Sequence, residues 1–506
     1  MIKFILRRLG ASVIVLFLAS ILVYFLVTIS GDPVGRLREQ ASDPKIYAQM
    51  QAIERNLDLG TPWYLRYMKW LGGVGGCVIG KCNLGVDIQG NKVSDTLSSA
   101  AASTLRLVLL SVILAAVIGI LIGVVTAVRQ YSDLDYVVTF VAFVLFSLPS
   151  FWAAVLLKEY AAINFNNWFS NPQFSTLQIV LAALILGLIM QLIMGGSLKR
   201  RLLTFVITAA VVGAALPYFT WLRFWQYPQM GPAVIAVVCL AVGAFACHIS
   251  VGLKERRVWL PALISAVLVI VVYYATWNLL ATPNWWILAA GLVLAVAVPW
   301  IIGAFIGGRY RTQAVGAAVA VTLVGAFLTI VDHLFVVWPS FTAMKPRPIS
   351  TIGSNTPNFG GTFWQTFLDN SSQLILPTVL LAAISVASYS RYTRAAMIDV
   401  NDQDYIRTAR SKGLPERTVI LRHAFRNAMI PIVTIVAMDF AALIGGAIIT
   451  EQVFGWKGMG AMFQTGLMNV DPNPVMAFVI VTGGVAVLFN LLTDVVYALI
   501  DPRIRV

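Results

Sequence analysis

The sequence predicts an all-α, polytopic membrane protein with about twelve transmembrane helices, six in a core and six in an inserted module. Hydrophobic residues make up 59% of the chain and charged residues only 11%, whereas about a quarter of the residues in a soluble domain are charged. Mean hydropathy is +0.83, and apolar runs of roughly twenty residues, each long enough to cross a bilayer as a helix, recur from end to end. This pattern indicates a helical membrane protein rather than a soluble domain.

The first predicted transmembrane helix lies within residues 1–30 and runs from Leu9 to Ile29. Basic residues precede this run, as they do in a cleavable signal peptide. However, the run is long enough to span a membrane, and no small-x-small cleavage pattern follows it. We therefore expect an uncleaved helix with the N-terminus in the cytoplasm.

Residues 31–100 are polar and follow as an extracytoplasmic loop. Residues 101–165 then hold two core helices, predicted from Ser103 to Val128 and from Tyr136 to about Ile163. Lys158 and Glu159 lie toward the outer end of the second helix, where they can reach the interface or pair with neighbours.

Two features of the extracytoplasmic loop suggest chemistry. Cys77 and Cys82 lie where an oxidising compartment permits a disulfide, but spacing alone leaves two free thiols as the alternative. Gly75-x-x-x-x-Gly80-Lys81 is close to a Walker A loop, but Cys82 replaces the Ser or Thr that should hold Mg²⁺. We predict no nucleotide site here, because the loop also lies on the side away from ATP.

Residues 172–340 form the predicted inserted module of three helical hairpins. Lys199, Lys254 and Arg309 open three basic turns that are spaced 55 residues apart in the numbering, which indicates an internal repeat. Because six is an even number, the inserted helices leave the membrane orientation of the later helices unchanged. We find no ligand motif in the module and expect a packing or partner-docking role. Within it, Cys239 and Cys247 are expected to be packing residues, and Asp332 is expected to reach the lipid headgroups.

The formal net charge of +14 comes from short basic clusters between apolar runs rather than from one basic surface. Such clusters hold loops on the cytoplasmic side, so we predict a multi-pass membrane protein with both termini in the cytoplasm and no nucleic-acid partner. The clusters are Arg7-Arg8, Lys199-Arg200-Arg201, Lys254 with Arg256-Arg257, Arg309 with Arg311, and Arg503 with Arg505.

Residues 370–506 hold three more core helices and a polar cytoplasmic loop, residues 399–428. The helices are predicted at Leu374–Ser390, Met429–Thr450 and Val475–Ile500. In the loop, Asp404 to Lys412 can form a short polar helix that Gly413 ends, and Pro415 suits the first turn of a second helix. Two short helices at the membrane surface would form a rigid projection that a soluble partner can bind.

The loop resembles that of the permease subunits of the bacterial dipeptide, oligopeptide and nickel ABC importers. Their hallmark is Glu-Ala-Ala-x-x-x-Gly. Here Arg407-Thr408-Ala409 precedes Gly413, so the second Ala and the Gly match, whereas the acidic and first Ala positions do not. Lys457 also stands where the family usually has Pro. The other similar segments are Arg391-Tyr392-Thr393-Arg394, Arg422-His423-Ala424, Arg426-Asn427-Ala428, Glu451-Gln452-Val453-Phe454, Gly458-Met459-Gly460, Asn490, Asp494 and Asp501-Pro502-Arg503.

The resemblance implies a permease subunit of an ATP-driven peptide importer in the bacterial inner membrane, without enzyme activity or a cofactor of its own. ATP and Mg²⁺ would bind two separate ATPase subunits. The other implied partners are a homologous second permease, an extracytoplasmic peptide-binding protein, the peptide and membrane lipid. The residues expected to contact the ATPase are Asp404, Tyr405, Arg407, Ala409, Lys412, Gly413, Leu414 and Arg417.

The two outer loops, Gly31–Ser99 and Glu451–Pro474, are expected to face the binding protein, because topology places both outside. The candidate docking or translocation residues are Trp63, Tyr64, Glu451, Phe454, Trp456 and, within a membrane helix, Asp439. The aromatic residues have an alternative role in the interfacial belt of a membrane protein. Asp439 either lines the translocation path or pairs with an Arg or Lys, and for Asp494 a structural role is favoured.

Other classes of function remain as alternatives. A secondary carrier should show polar sites at the midplane of paired repeats, and few such groups are present. A membrane enzyme needs a nucleophile–base pair or a metal site, yet three histidines assemble no metal cluster and no such pair is visible. An ABC importer subunit for nickel or another small solute stays open.

Overall fold

The computed structural model describes residues 2–39, 42–252 and 255–500. Lys254, the Arg503 and Arg505 cluster and the terminal Asp501-Pro502-Arg503 motif lie outside this range, as does the Asp494 side chain. Eleven of the described helices are long and apolar enough to cross a membrane, and one bent pair makes a twelfth if it counts as one span. The prediction of an all-α membrane protein with about twelve spans is therefore confirmed.

The described helices follow one another in three groups along the chain. The first group is α1 (Ile2–Ile29), α2 (Gly35–Arg38), α3 (Pro44–Asn56), α4 (Trp63–Val78), α5 (Val93–Val128), α6 (Asp133–Ser147) and α7 (Ser150–Leu157). The second is α8 (Asn164–Ser170), α9 (Thr176–Met194), α10 (Leu198–Trp221), α11 (Gly231–Ser250), α12 (Arg256–Ala281), α13 (Trp285–Ile306) and α14 (Arg311–Met344). The third is α15 (Phe363–Asn401), α16 (Asp404–Ser411), α17 (Glu416–Thr418), α18 (Phe425–Gly446), α19 (Ile448–Val453), α20 (Met459–Met468) and α21 (Pro472–Ile500).

The chain divides into two compact units. The first comprises residues 1–162, 351–354 and 373–506, and the second comprises residues 163–350 and 355–372. In the first unit, α18 packs against α5 and α21, and α1 packs along α21. Two regions of this unit are named for use below. The α16 end is the region around helix α16. The hairpin end is the region around residues 86–92, which form a small hairpin closed by a bridge between Val86 and Lys92.

The third core span is broken, so the expectation of one continuous helix from Tyr136 to about Ile163 was wrong. Helix α6 ends at Ser147, and the next helix begins at Ser150 with a bend of 103°. The physical cause is Pro149, because the ring of a proline pushes the preceding residue out of the helical region. Leu148 is accordingly extended, with ψ of 127°.

The second unit holds the inserted helices. Helices α11 to α14 pack into one bundle around buried side chains that include Cys239, Cys247 and Tyr273, whereas α9 and α10 form a hairpin in which α10 buries no residue. Asp332 does not reach toward headgroups as expected. Its carboxylate is buried and accepts hydrogen bonds from the Tyr273 hydroxyl (2.7 Å) and the Gly231 backbone N–H (3.0 Å). This placement satisfies an acid that would otherwise be costly inside a membrane.

Candidate functional site

A short amphipathic helix, α16, forms the predicted projection of the first unit. Ile406 and Ala409 lie one turn apart and are both buried in a cluster with residues of α5, α15 and α18. The remaining side chains of α16 are exposed. Gly413, with φ of +75°, ends the segment, and its N–H donates to the Arg410 carbonyl. Glycine is favoured here because left-handed backbone is strained for a residue with a β-carbon.

Side-chain contacts hold this projection rigid. The Arg410 guanidinium binds the Glu416 carboxylate across the Gly413 turn, with a shortest N–O distance of 2.8 Å. The Asn427 amide donates to the Tyr405 hydroxyl at 2.8 Å, which ties α16 to α18. The second short helix of the prediction is not separate, because α17 and a π-helical turn (Val419–Ala424) lead directly into α18.

The projection presents most of the predicted ATPase-contact residues to solvent. Ala409 is the exception, because its side chain packs inward and cannot meet a partner. The exposed members are Asp404, Tyr405, Arg407, Lys412, Gly413, Leu414 and Arg417. Cations outnumber acids in this set, so an acidic groove on a soluble partner would complement the surface.

At the hairpin end, the prediction of an exposed docking surface is wrong for three residues. Glu451, Phe454 and Trp456 are all buried, so their side chains cannot form an exposed contact in this chain. The Trp456 indole N–H donates to the Ser103 carbonyl, and the Arg106 guanidinium lies 5.4 Å from the Trp456 ring centroid. These residues instead brace the loop after α18 against α5.

The buried Glu451 side chain connects three helices at this end of the unit. Its carboxylate accepts hydrogen bonds from the Thr104 hydroxyl (2.6 Å) and the Ala461 backbone N–H (3.0 Å). Burial raises the pKa of Glu451, and the hydrogen bonds from Thr104 and from the Ala461 and Gly460 backbone partly oppose that rise. Glu451 therefore joins α5, α19 and α20.

The other two docking candidates lie on α4. Tyr64 is exposed and remains available for contact, whereas Trp63 is half-buried and packs against Phe25, with ring centroids 5.1 Å apart. Downstream, a disulfide joins Cys77 to Cys82 and holds the following loop back against α4. The Lys81 N–H donates to the Gly76 carbonyl at 2.8 Å within that closed loop.

A second buried acid, Asp471, fixes the small hairpin. Its carboxylate accepts hydrogen bonds from the backbone N–H groups of Ile88 (2.8 Å) and Asn473 (3.1 Å). Burial raises the pKa of Asp471 to about 7, the two N–H groups oppose this rise, and the nearby Asp87 adds to it. Sequence inspection missed Asp471, because its partner Ile88 is distant in the chain and contributes only backbone.

Beside Asp471 lies an open cavity of about 360 Å³ whose lining is partly apolar and partly polar. Its walls come from the small hairpin, the start of α5 and helix α20. The polar side chains that line it are Asp87, Gln89, Asn91, Thr96, Ser99, Lys457, Thr465, Asn469 and Asp471. Both signs of charge are present, so the cavity suits a polar group of a partner or cargo.

Within the spans, Asp439 of α18 has hydroxyl partners rather than the expected Arg or Lys. Tyr389 and Ser385 of α15 both donate to its Oδ2 atom, at 2.5 Å and 2.8 Å. Both donors are buried, whereas Asp439 is only half-buried. The pairing with a cation that was one alternative for Asp439 is thus not found among the described residues.

A close helix crossing positions Tyr389. Gly119 and Gly123 lie one turn apart on α5 and face α15. A β-carbon on Gly119 would stand 2.8 Å from Tyr389 Cβ, and one on Gly123 would stand 2.5 Å from Thr393 Cβ. Small residues at this spacing let membrane helices approach closely. The Gly-x-x-x-Gly spacing was the signal in the sequence that could have indicated this contact.

Two charged contacts complete the first unit. Arg394 of α15 binds Asp135 of α6 through two nitrogens, at 2.7 Å and 2.8 Å, close to the α16 end. Lys158 lies in a π-helical turn after α7 and donates to the Val453 carbonyl at 3.4 Å, so it pairs with a neighbour as one of the expectations had it.

Comparison with known proteins adds independent information. Residues 1–108 match the N-terminal membrane component of binding-protein-dependent transport systems, and residues 333–506 match the inner membrane component of such systems. The oligopeptide transport system permease protein OppB of Mycobacterium tuberculosis is 39% identical over 230 residues, which cover 44% of this chain and 69% of the relative. The dipeptide transport system permease protein DppB of Escherichia coli is 42% identical over 139 residues, covering 28% and 41% of the two chains. AppB, an oligopeptide permease of Bacillus subtilis, is 42% identical over 137 residues, covering 27% and 43%.

Proposed function

The chain belongs to the permeases of binding-protein-dependent peptide ABC importers, and from this premise we propose that it forms one transmembrane subunit of a peptide-importing complex. The relatives' names favour peptides over nickel as cargo. In this proposal the complex also contains a second, homologous permease, two ATP-binding subunits and an extracytoplasmic peptide-binding protein. ATP and Mg²⁺ bind the ATP-binding subunits, and this chain supplies the path.

The observation that carries the proposal is the exposed helix α16 with its Gly413 turn. This short helix is anchored by the buried Ile406 and Ala409, and the Arg410–Glu416 pair spans the turn that follows it, so a displacement of the helix can pass to the membrane helices. Its exposed polar side suits a soluble partner. A protein that only spans the membrane would have no need for such a projection.

The proposal orients the chain with the α16 end in the cytoplasm and the hairpin end outside. The basic residues of the α16 end support this orientation, because positively charged loops stay in the cytoplasm. The open cavity beside Asp471 and the exposed Tyr64 then face the binding protein. Glu451 and Trp456 act indirectly, by holding the loops that form that surface.

Transport follows from movement of α16. When the ATP-binding subunits close, they displace α16. The displacement passes through the short Gly413 turn into α17, the π-helical turn and α18, which follow one another without a further break. Helix α18 packs against α5 and α21, so a shift of α18 can open the path alternately to the two sides.

Charge reversal on the projection tests this assignment. We expect the double variant Lys412→Glu, Arg417→Glu to weaken co-purification of the ATP-binding subunits and to reduce ATP-driven peptide uptake in proteoliposomes at least tenfold. Both side chains are exposed, so the fold should survive. Lys45→Glu makes the same kind of charge change at an exposed position of α3 and serves as the control. Unchanged uptake and co-purification in the double variant would show that the ATPase contact lies elsewhere.

A further inference from the structure

Asp439 has the geometry of a receptor for a cationic group that passes through the membrane. We propose that it binds the N-terminal ammonium group of the peptide during transit. This inference rests on the proposed function, because it assumes that peptides cross along α18. It adds the chemical group that the path recognises.

The first argument is the isolation of the charge. Asp439 is the only Asp, Glu, Lys or Arg in the apolar stretches of the core spans, whereas other charged residues of these spans, such as Lys158 and Arg394, lie toward the span ends. The apolar stretches are residues 10–28, 107–127, 136–157, 374–390, 427–446 and 473–492. An ionisable residue inside a span is costly, and such residues face a partner or a water-filled path rather than lipid. Asp439 is therefore a functional candidate on its position alone.

The second argument is the way the carboxylate is held. Tyr389 and Ser385 both donate to Oδ2, and no described group donates to Oδ1. The two donors are buried on α15, so they hold Oδ2 against the protein. Two neutral hydroxyls stabilise a carboxylate but do not neutralise it. One oxygen thus remains available for a positive group.

The third argument is the exposure of the surrounding helix face. Asp439 is half-exposed and adjoins an exposed stripe of α18 formed by Pro431, Met438, Ala442 and Gly446. Nothing in the described chain covers this stripe. Because a carboxylate is unfavourable against lipid, the stripe beside Asp439 fits the path better than the lipid surface.

The cargo explains the choice of a carboxylate. Peptides of different sequence share few groups, but an unmodified peptide always has an N-terminal ammonium. A hydrogen bond between an ammonium and a carboxylate is charge-assisted and stronger than a neutral one. A single such contact also stays weak enough for release, as a conducting path requires. Asp439 would therefore bind peptides through their N-terminal ammonium group, whatever side chains they carry.

The experiment compares two peptides in the reconstituted complex. One has a free amino terminus, the other is N-acetylated, and both are chosen because they load the purified binding protein. Since the binding protein is a separate chain, its affinities do not change when the permease is altered. We expect Asp439→Asn to lower the uptake ratio of free to acetylated peptide about tenfold, and Asp439→Glu to restore most of that ratio.

Two further variants sharpen the result. Tyr389→Phe removes one hydroxyl that holds Oδ2, and we expect it to lower the ratio less than Asp439→Asn does. Thr434→Val is the matched control, because the Thr434 hydroxyl bonds only the Ile430 carbonyl of its own helix. We expect Thr434→Val to leave the ratio unchanged.

Three outcomes would overturn the inference or its premise. If Asp439→Asn lowers uptake of both peptides equally, or of neither, the carboxylate does not read the amino terminus. If Asp439→Asn no longer assembles with the second permease, the acid pairs with a cation of that subunit instead. If the wild-type complex imports neither peptide with ATP, the proposed function itself fails.

Discussion

The crossing of α5 and α15 allows a sharp test of how the first unit is held together. We consider Gly123→Ala. The added β-carbon would stand 2.5 Å from Thr393 Cβ and 2.6 Å from the Ser390 carbonyl oxygen, whereas carbon atoms in contact prefer about 3.5–4.0 Å. The Ser390 oxygen belongs to the backbone and cannot rotate away. The two helices must therefore separate by about an ångström.

The magnitude follows from two opposing effects. Overpacking of this kind costs typically about 1–3 kcal/mol. Replacing Gly by Ala inside a helix gains roughly 0.8–1.0 kcal/mol from helix propensity. Gly484→Ala on α21 is the matched control, because a β-carbon there meets nothing within 4 Å. Both variants gain the same propensity, so their difference isolates the clash at about 1–3 kcal/mol.

Thermal unfolding of the purified complex measures this difference. We expect Gly123→Ala to melt several degrees below Gly484→Ala when the folded fraction is followed by size-exclusion chromatography after heating. Gly119→Ala should in addition lower peptide uptake. Its β-carbon would displace Tyr389, whose hydroxyl donates to Asp439. If Gly123→Ala melts at or above the temperature of Gly484→Ala, the close approach of α5 and α15 does not exist as described.

Three further predictions concern the projection, the hairpin end and the inserted helices. Gly413→Val should leave the membrane fold intact but abolish coupled uptake, because φ of +75° costs a β-branched residue about 1–3 kcal/mol; normal uptake would refute the coupling role. The pKa of Asp471 is raised in the fold from 3.8 to about 7, so its stabilising effect is complete below pH 3.8 and is lost as pH rises through 7. The melting temperature should fall over that window, and Asp471→Asn should flatten the profile; a flat wild-type profile between pH 5 and 8 would contradict this. Deleting residues 172–340 should leave reporters after Arg394 and at the C-terminus on their original side, and a reporter on the opposite side would mean an odd number of inserted spans.

The sequence by itself determined the spans and the projection. Hydropathy is a property of each segment, so the apolar runs predicted eleven of the spans without knowledge of their neighbours. The short helix before Gly413 followed in the same way, because a polar segment, a C′ glycine and a following proline act locally. The break at Pro149 was also a local signal, but the apolar residues on both sides concealed it.

Tertiary structure alone decided which polar residues are buried and what they bind. Glu451 was predicted to be an exposed docking residue, but it is buried and accepts a hydrogen bond from Thr104, 347 residues away along the chain. Asp439 accepts a hydrogen bond from Tyr389, 50 residues away in the chain, and no cation pairs with it among the described residues. The physical reason is that a buried acid is satisfied by whichever donors the packed helices bring to it. That choice depends on how closely α5 and α15 can approach, which rests on two glycines that hydropathy does not distinguish from their neighbours.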